Sequence, residues 1–188
     1  GSLSVHEETV NIIGNGCFKN GVGIDNESGS YGLNEVIQYN ANPMSAVSNY
    51  VLRQGNNGTS GEYEIHARTG QSLSPNSSYT MSCWVYYSPE WNGNSDIFHL
   101  THFNADSSNG SVNGSGTLLK RWNGWEHRCY TFTTSANSNG TFNWYLGYNG
   151  GNTKGFRLIT GVQLERKTFP SAYAEGTRPD GKVGYAGI

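Results

Sequence analysis

The sequence predicts an all-β fold, a two-sheet antiparallel sandwich of short strands, on three observations. The chain of 188 residues carries 26 Gly with abundant Asn and Ser and few Lys or Glu. Those are turn residues, and a helical protein would instead draw on Ala, Leu, Glu and Lys. Second, 12 Tyr, 7 Phe and 5 Trp bring the aromatic share to 13%. Rings suit strands, and so many of them fill a core, which separates this chain from a disordered Gly/Ser-rich one. Third, Asn-Gly recurs at Asn15, Asn20, Asn57, Asn92, Asn109, Asn113, Asn123, Asn139 and Asn149. Both residues of that pair tolerate positive φ, so it marks tight turns between strands.

Short alternating runs lie between the turn signals. Strands are expected over 35–40, 50–54 and 63–69. The clearest is 79–87, with Tyr79, Met81, Cys83, Val85 and Tyr87 on one face and Thr80, Ser82, Trp84 and Tyr86 on the other. The first face reads as core. Further strands are expected over 97–103, 117–121, 125–133 and 142–148, the last with Phe142, Trp144, Leu146 and Tyr148 opposite Asn143 and Tyr145. Strict alternation over 156–165 puts Phe156, Leu158, Val162 and Leu164 inward and Arg157, Ile159, Gln163 and Glu165 on the opposite side. No amphipathic helix or internal repeat interrupts this pattern. Residues 1–10 read as an N-terminal extension, with Gly1-Ser2 as a cloning scar on an excised piece of a longer protein. Residues 11–174 read as one sandwich domain and 175–188 as a polar tail or linker.

Composition also narrows function. Charged residues make up 14% and the net charge is −2, which gives no drive toward nucleic acid. No apolar run approaches the roughly 20 residues of a membrane span, and no signal peptide is visible. Phosphate-cradling glycine motifs are absent. Cys17, Cys83 and Cys129 are expected as buried free thiols. A Cys83–Cys129 cross-link requires their strands to lie close. His99 and His102 are three apart on a strand and therefore face opposite ways, which disfavours a shared metal. Glycoside hydrolysis needs two carboxylates about 5 to 10 Å apart. Glu62 with Glu64, and Glu7-Glu8, are the nearest candidates and fall in no recognisable motif.

Sugar recognition needs flat aromatic faces and planar polar groups that match hydroxyls. Trp84, Tyr86 and Tyr145 occupy presumed non-core faces, and Arg157 and Gln163 share that side of the last strand. If those strands are neighbours, the five build an aromatic-polar patch. The opposing reading is that a loop or another subunit covers the rings. Trp91 and Trp122 lie in turn-rich segments, as rim-site residues or as anchors of loop tips.

Several segments carry a family resemblance. Asn11-Ile12-Ile13-Gly14-Asn15-Gly16-Cys17-Phe18-Lys19-Asn20-Gly21 resembles the first strand of carbohydrate-binding-module-like jelly rolls. Leu73-Ser74-Pro75 through Tyr79-Thr80-Met81-Ser82 resembles their middle strand with its lead-in, and Trp122-Asn123-Gly124-Trp125-Glu126-His127-Arg128 with Tyr130-Thr131-Phe132 is similar to another. Gly161-Val162-Gln163-Leu164-Glu165, Phe169-Pro170-Ser171-Ala172-Tyr173 and Gly176-Thr177-Arg178-Pro179 resemble the close of many phage and large-virus tail, fibre and virion-surface proteins. The resemblance implies a jelly roll that acts as a non-catalytic host-glycan-binding module, located on a virion surface or extracellularly. Its implied partners are cell-surface or cell-wall polysaccharide and other virion subunits, often in an oligomer; the low-charge, aromatic-rich composition points to a homo-oligomer such as a trimer, and charge and hydropathy to neither nucleic acid nor membrane insertion. A purely structural virion domain and a sandwich-fold polysaccharide lyase or glycoside hydrolase are the alternatives. Sugar-binding relatives often place an acid after the motif's Phe, near a structural calcium. Lys19 stands there instead, and Asp25 and Glu27 are the remaining calcium candidates.

Overall fold

The computed structural model describes residues 3–5, 9–21, 33–55, 66–93, 95–101, 112–136, 141–145, 154–178 and 183–185. Its strands are β1 (Leu3–Val5), β2 (Thr9–Val10), β3 (Leu33–Gln38), β4 (Tyr50–Gly55), β5 (His66–Ser72), β6 (Ser78–Tyr87) and β7 (Phe98–Thr101). They continue with β8 (Val112–Gly114), β9 (Thr117–Trp122), β10 (Trp125–Thr133), β11 (Thr141–Tyr145), β12 (Phe156–Glu165), β13 (Thr177–Arg178) and β14 (Val183–Tyr185). A six-stranded sheet runs β3-β4-β12-β6-β10-β9 and a four-stranded sheet runs β5-β11-β7-β8. All pairings are antiparallel, and the chain passes back and forth between the sheets, which makes this a jelly-roll β-sandwich. Two short ribbons, β1 with β14 and β2 with β13, join the chain's ends.

Alternation places the core where the sequence predicts it for β6. Tyr79, Met81, Cys83 and Val85 point between the sheets and meet Leu52, Phe132, Ile159, Val162 and Leu164, with Phe98 and Leu100 arriving from the four-stranded sheet. Asn123 and Gly124 adopt φ of 45° and 82° and turn β9 into β10, as the Asn-Gly signal requires. Two local expectations differ. Asn113-Gly114 lies within β8 rather than at a turn, and the segment resembling a first strand, 11–21, is a chain of turns ending in a short 3-10 turn at Lys19–Gly21.

That turn-rich segment nevertheless explains its motif. The buried Asn11 amide donates to Val162 O (3.2 Å) and Ala174 O (3.1 Å), and its carbonyl accepts from Ile13 N and Leu164 N, both at 3.1 Å. One side chain thus satisfies backbone groups of three segments, as a buried amide must. Phe18 fills the core.

The largest departure from strict alternation is in β12. Arg157, Leu158, Ile159 and Thr160 pair with Tyr87, Tyr86, Val85 and Trp84, but after a register shift Gln163, Leu164 and Glu165 pair with Ser82, Met81 and Thr80. Gly161, at φ 63°, carries the bulge. One extra residue reverses the facing of everything on one side of it. Arg157 and Ile159 therefore point between the sheets, Leu158 joins the cluster on the outer face, and Gln163 and Glu165 face outward. The expectation that Arg157 and Gln163 share a side is corrected by this bulge.

The cysteines are free and buried. Cys129 pairs with Ser82 and Cys83 with Arg128, so the two thiols sit on adjacent strands but opposite faces and cannot cross-link. Burial pushes the Cys83 and Cys17 thiols up to about 12, which keeps both protonated and inert.

Candidate functional site

The outer face of the six-stranded sheet divides into a sealed half and an open half. A second apolar cluster lies on it, made by Trp84, Trp125, Leu158 and Val51 of the sheet together with Cys17, Met44 and Tyr173 from connecting segments. The seal is a strap, residues 171–174, held by polar side chains of β12. Gln163 Nε2 donates to Ser171 O (3.2 Å) and Ala172 O (3.4 Å), while Gln163 Oε1 accepts from Ala174 N at 2.7 Å. The buried Glu165 carboxylate accepts from Ser171 N at 3.1 Å and from the hydroxyls of Ser171 and Thr9. Ion-dipole bonds of this kind fully engage a carboxylate that would otherwise be costly to bury.

Beneath the strap, Trp84 is 2% exposed and stacks on His127, with ring centroids 4.8 Å apart. Lys120 Nζ lies 5.2 Å from the Trp84 ring centroid. Burial, aided by the Lys120 charge, holds the His127 imidazole down at about 4. The sign follows: the neutral imidazole is favoured in the folded chain, so its stabilising contribution is complete above about pH 6.5 and is lost as pH falls toward 4. His127→Phe keeps the stack and removes the titration. Its stability, read by urea unfolding, is expected to fall less between pH 6.5 and 4 than the wild type's; parallel curves would show that His127 carries no such linkage.

The open half lies at the Tyr86 end. Trp125 forms its buried floor. Tyr39 and Tyr86 flank Trp125 at centroid distances of 6.3 and 5.9 Å, and Phe156 follows Tyr86 at 6.5 Å. Tyr39, Tyr86, Phe156 and Trp122 are half-buried, so each combines packing with a presented surface. The Arg53 guanidinium sits 5.1 Å from the Phe156 ring centroid and bonds Glu35 at 2.8 Å. The result is a ring platform about four strands wide, edged by an ion pair with exposed donors and acceptors.

Of the residues singled out in the sequence, the platform brings together Tyr86 and Trp122. Trp84 is on the same face but sealed, and Gln163 is on that face but engaged with the strap. Arg157 is buried on the opposite side of the sheet, with Trp91 packed against it. Tyr145 belongs to β11 of the four-stranded sheet, so the imagined five-residue patch is not assembled. Asp25, Glu27, His102, Glu62 and Glu64 lie outside the described residues. Among the described residues no three His, Cys, Asp or Glu side chains converge as metal ligands. Lys19 pairs with Glu175 at 2.6 Å. Sequence reasoning missed Tyr39, Arg53, Glu35 and Phe156. Alternation along 35–40 would have aligned Glu35 with Tyr39, but nothing local shows that this strand end meets Tyr86.

Comparison with known proteins agrees with the architecture. No protein-family model matches the sequence, and no curated protein matches it. Among solved structures, a Family 16 Carbohydrate Binding Module-2 superposes with TM-score 0.52 at 16% identity, over 82% of this chain and 99% of that one. The Clostridium thermocellum xylanase 10B CBM22-1–GH10 modules match with TM-score 0.54 at 10% identity, over 79% of this chain and 28% of that one. The enzymatically active domain of Bacteriophage CBA120 tailspike protein 4 matches with TM-score 0.53 at 11% identity, over 82% of this chain and 21% of that one. The chain thus has the β-sandwich fold of carbohydrate-binding modules.

Proposed function

We propose that the chain is a non-catalytic glycan-binding module that takes a sugar on the open half of its outer face. The observation that carries this reading is the platform of Tyr39, Tyr86, Trp122 and Phe156 over Trp125, beside the Arg53–Glu35 pair. Rings receive the apolar face of a pyranose, and the ion pair's remaining lone pairs and N–H groups match its hydroxyls. The carboxylate that the described residues place there, Glu35, is held by Arg53. Hydrolysis by a carboxylate pair would need a partner about 5 to 10 Å away. The likeness to carbohydrate-binding modules supports the reading at the level of fold.

The closing segments that resemble virion proteins, together with the tailspike among the fold's neighbours, favour a particle surface, with host cell-surface or cell-wall polysaccharide as ligand and other virion subunits as partners. In that setting the chain acts within an oligomer, and its low-charge, aromatic-rich composition favours a trimer. Light scattering on the purified chain reads that state directly.

A glycan array identifies the ligand class, and titration calorimetry then measures the variants. Tyr86→Ala and Trp122→Ala are each expected to weaken binding about 10- to 100-fold, the effect of removing an anchoring ring at about 1.4 kcal/mol per decade. Unchanged affinity in both variants would move the site off this face.

A further inference from the structure

Lys120 belongs to β9, the edge strand of the six-stranded sheet, and shares the outer face with Trp122 two residues further on. An edge lysine ordinarily reaches into water, where its ammonium is best solvated. This one is laid inward. It pairs across from His127 of β10, and its Nζ rests 5.2 Å from the ring centroid of Trp84 on β6, two strands in from the edge. Two effects agree with that placement. Burial lowers the Lys120 pKa from the usual lysine value, and the Lys120 charge helps hold the His127 imidazole down. The residue as a whole remains exposed.

This position is a border of the platform. In the register of β6, β10 and β9, the row Trp84, His127, Lys120 lies beside the row Tyr86, Trp125, Trp122. The rows are about 7 Å apart, two residues of strand rise. A sugar stacked on Tyr86 or Trp122 therefore carries its ring substituents to within reach of the Lys120 ammonium. The opposite flank differs, because its cation, Arg53, sits over Phe156 and is bonded to Glu35. A chain with a net charge of −2 thus sets a cation along one side of its ring surface.

We propose that Lys120 sets the platform's specificity for acidic glycans, its ammonium pairing with the carboxylate or sulfate of a sugar stacked on Tyr86 and Trp122. The assignment rests on the platform reading and names its ligand class. Rings see only the apolar face of a pyranose, which an acidic sugar shares with its neutral counterpart, so the charge is read by a side chain at the border. An ammonium is a point charge with three donors, and it accepts either anion without the fixed fork that arginine presents. Its bond to an anion is charge-assisted and strengthened by the partly desolvated ring surface on which it lies.

The test is calorimetry on the full chain with two matched pairs: oligogalacturonate beside its carboxyl-reduced form, and a sulfated galactan oligomer beside its desulfated form. The two pairs separate a carboxylate from a sulfate as the group recognised. At least one acidic member is expected to bind about tenfold tighter than its neutral counterpart, in keeping with a hydrogen bond between charged groups, and to lose that advantage as salt is raised. Lys120→Met keeps the stem over the face and removes the charge; it is expected to bring the acidic member down to the affinity of the neutral one, which it leaves unchanged. Lys120→Arg keeps most of the preference, and Tyr86→Ala weakens acidic and neutral members alike. In the wild type the acidic oligomer should also raise the His127 pKa, read by NMR, because an anion at Lys120 offsets the charge that helps depress it. An unmoved His127, equal binding within both pairs, or a preference that survives Lys120→Met overturns the assignment. If neutral members bind through Tyr86 and the acid adds nothing, the platform stands and the role of Lys120 falls. If none of the four binds, the platform and the assignment fall together.

Discussion

Trp84→Ala is expected to destabilise the chain by about 3–5 kcal/mol, the range for emptying a buried large aromatic site. The ring is 2% exposed and packed among Met44, Trp125, Leu158 and Tyr173, with His127 stacked on it. Its neighbours come from strands on both sides and from the strap, all held by separate hydrogen bonds, so they close only partly over the hole. Denaturant unfolding measures the loss. The same variant separates two roles for this residue. A large loss of stability with glycan affinity retained in the folded fraction identifies Trp84 as a structural ring under the strap. A small loss of stability with abolished binding would make it the ligand-facing ring instead, and the strap would then have to be displaced on binding.

Gly16→Ala is expected to cost at least about 3 kcal/mol, from forced overpacking together with loss of a backbone bond. A Cβ at Gly16 would fall 1.9 Å from Val162 O and 2.8 Å from Val162 C, backbone atoms that cannot rotate away. The contact is close because Val162 N donates to Gly16 O at 2.9 Å, so the turn segment lies directly on the β12 bulge. Pushing it off drags out Ile13, Cys17 and Phe18, all buried on either side of it. For a chain of this size the melting temperature should fall by roughly 6–12 °C. Gly14→Ala is the control, since its Cβ would meet nothing within 4 Å. Equal melting temperatures for the two variants would mean that the 11–18 segment does not dock on β12 as described.

Both predictions concern residues whose types were readable and whose roles were not. The Asn-Gly of the opening motif is a turn signal, and Asn15 does adopt φ 54°. Yet what Gly16 requires is imposed by Val162, 146 positions along the chain. Gln163 reads as part of an aromatic-polar patch and Glu165 as on the same non-core side, and both do face outward; the strap that consumes their hydrogen bonds is a different segment, 171–174. Alternation along β6 puts Trp84 off the inter-sheet core, where the structure has it, but its accessibility is decided by Met44 and Tyr173.

The sequence by itself determined the class and the local elements. Turn residues and rings specified an all-β chain, period-two runs located β6, β10 and β12, and Asn123-Gly124 marked the hairpin beside the platform. These are properties of a residue and its immediate neighbours, set by backbone sterics and side-chain alternation. Only the tertiary structure decided which face each residue of β12 takes, because a bulge is defined by the partner strand and one residue of slip inverts the pattern. It alone decided which half of the outer face stays open, because burial there comes from segments distant in sequence whose docking no local periodicity encodes.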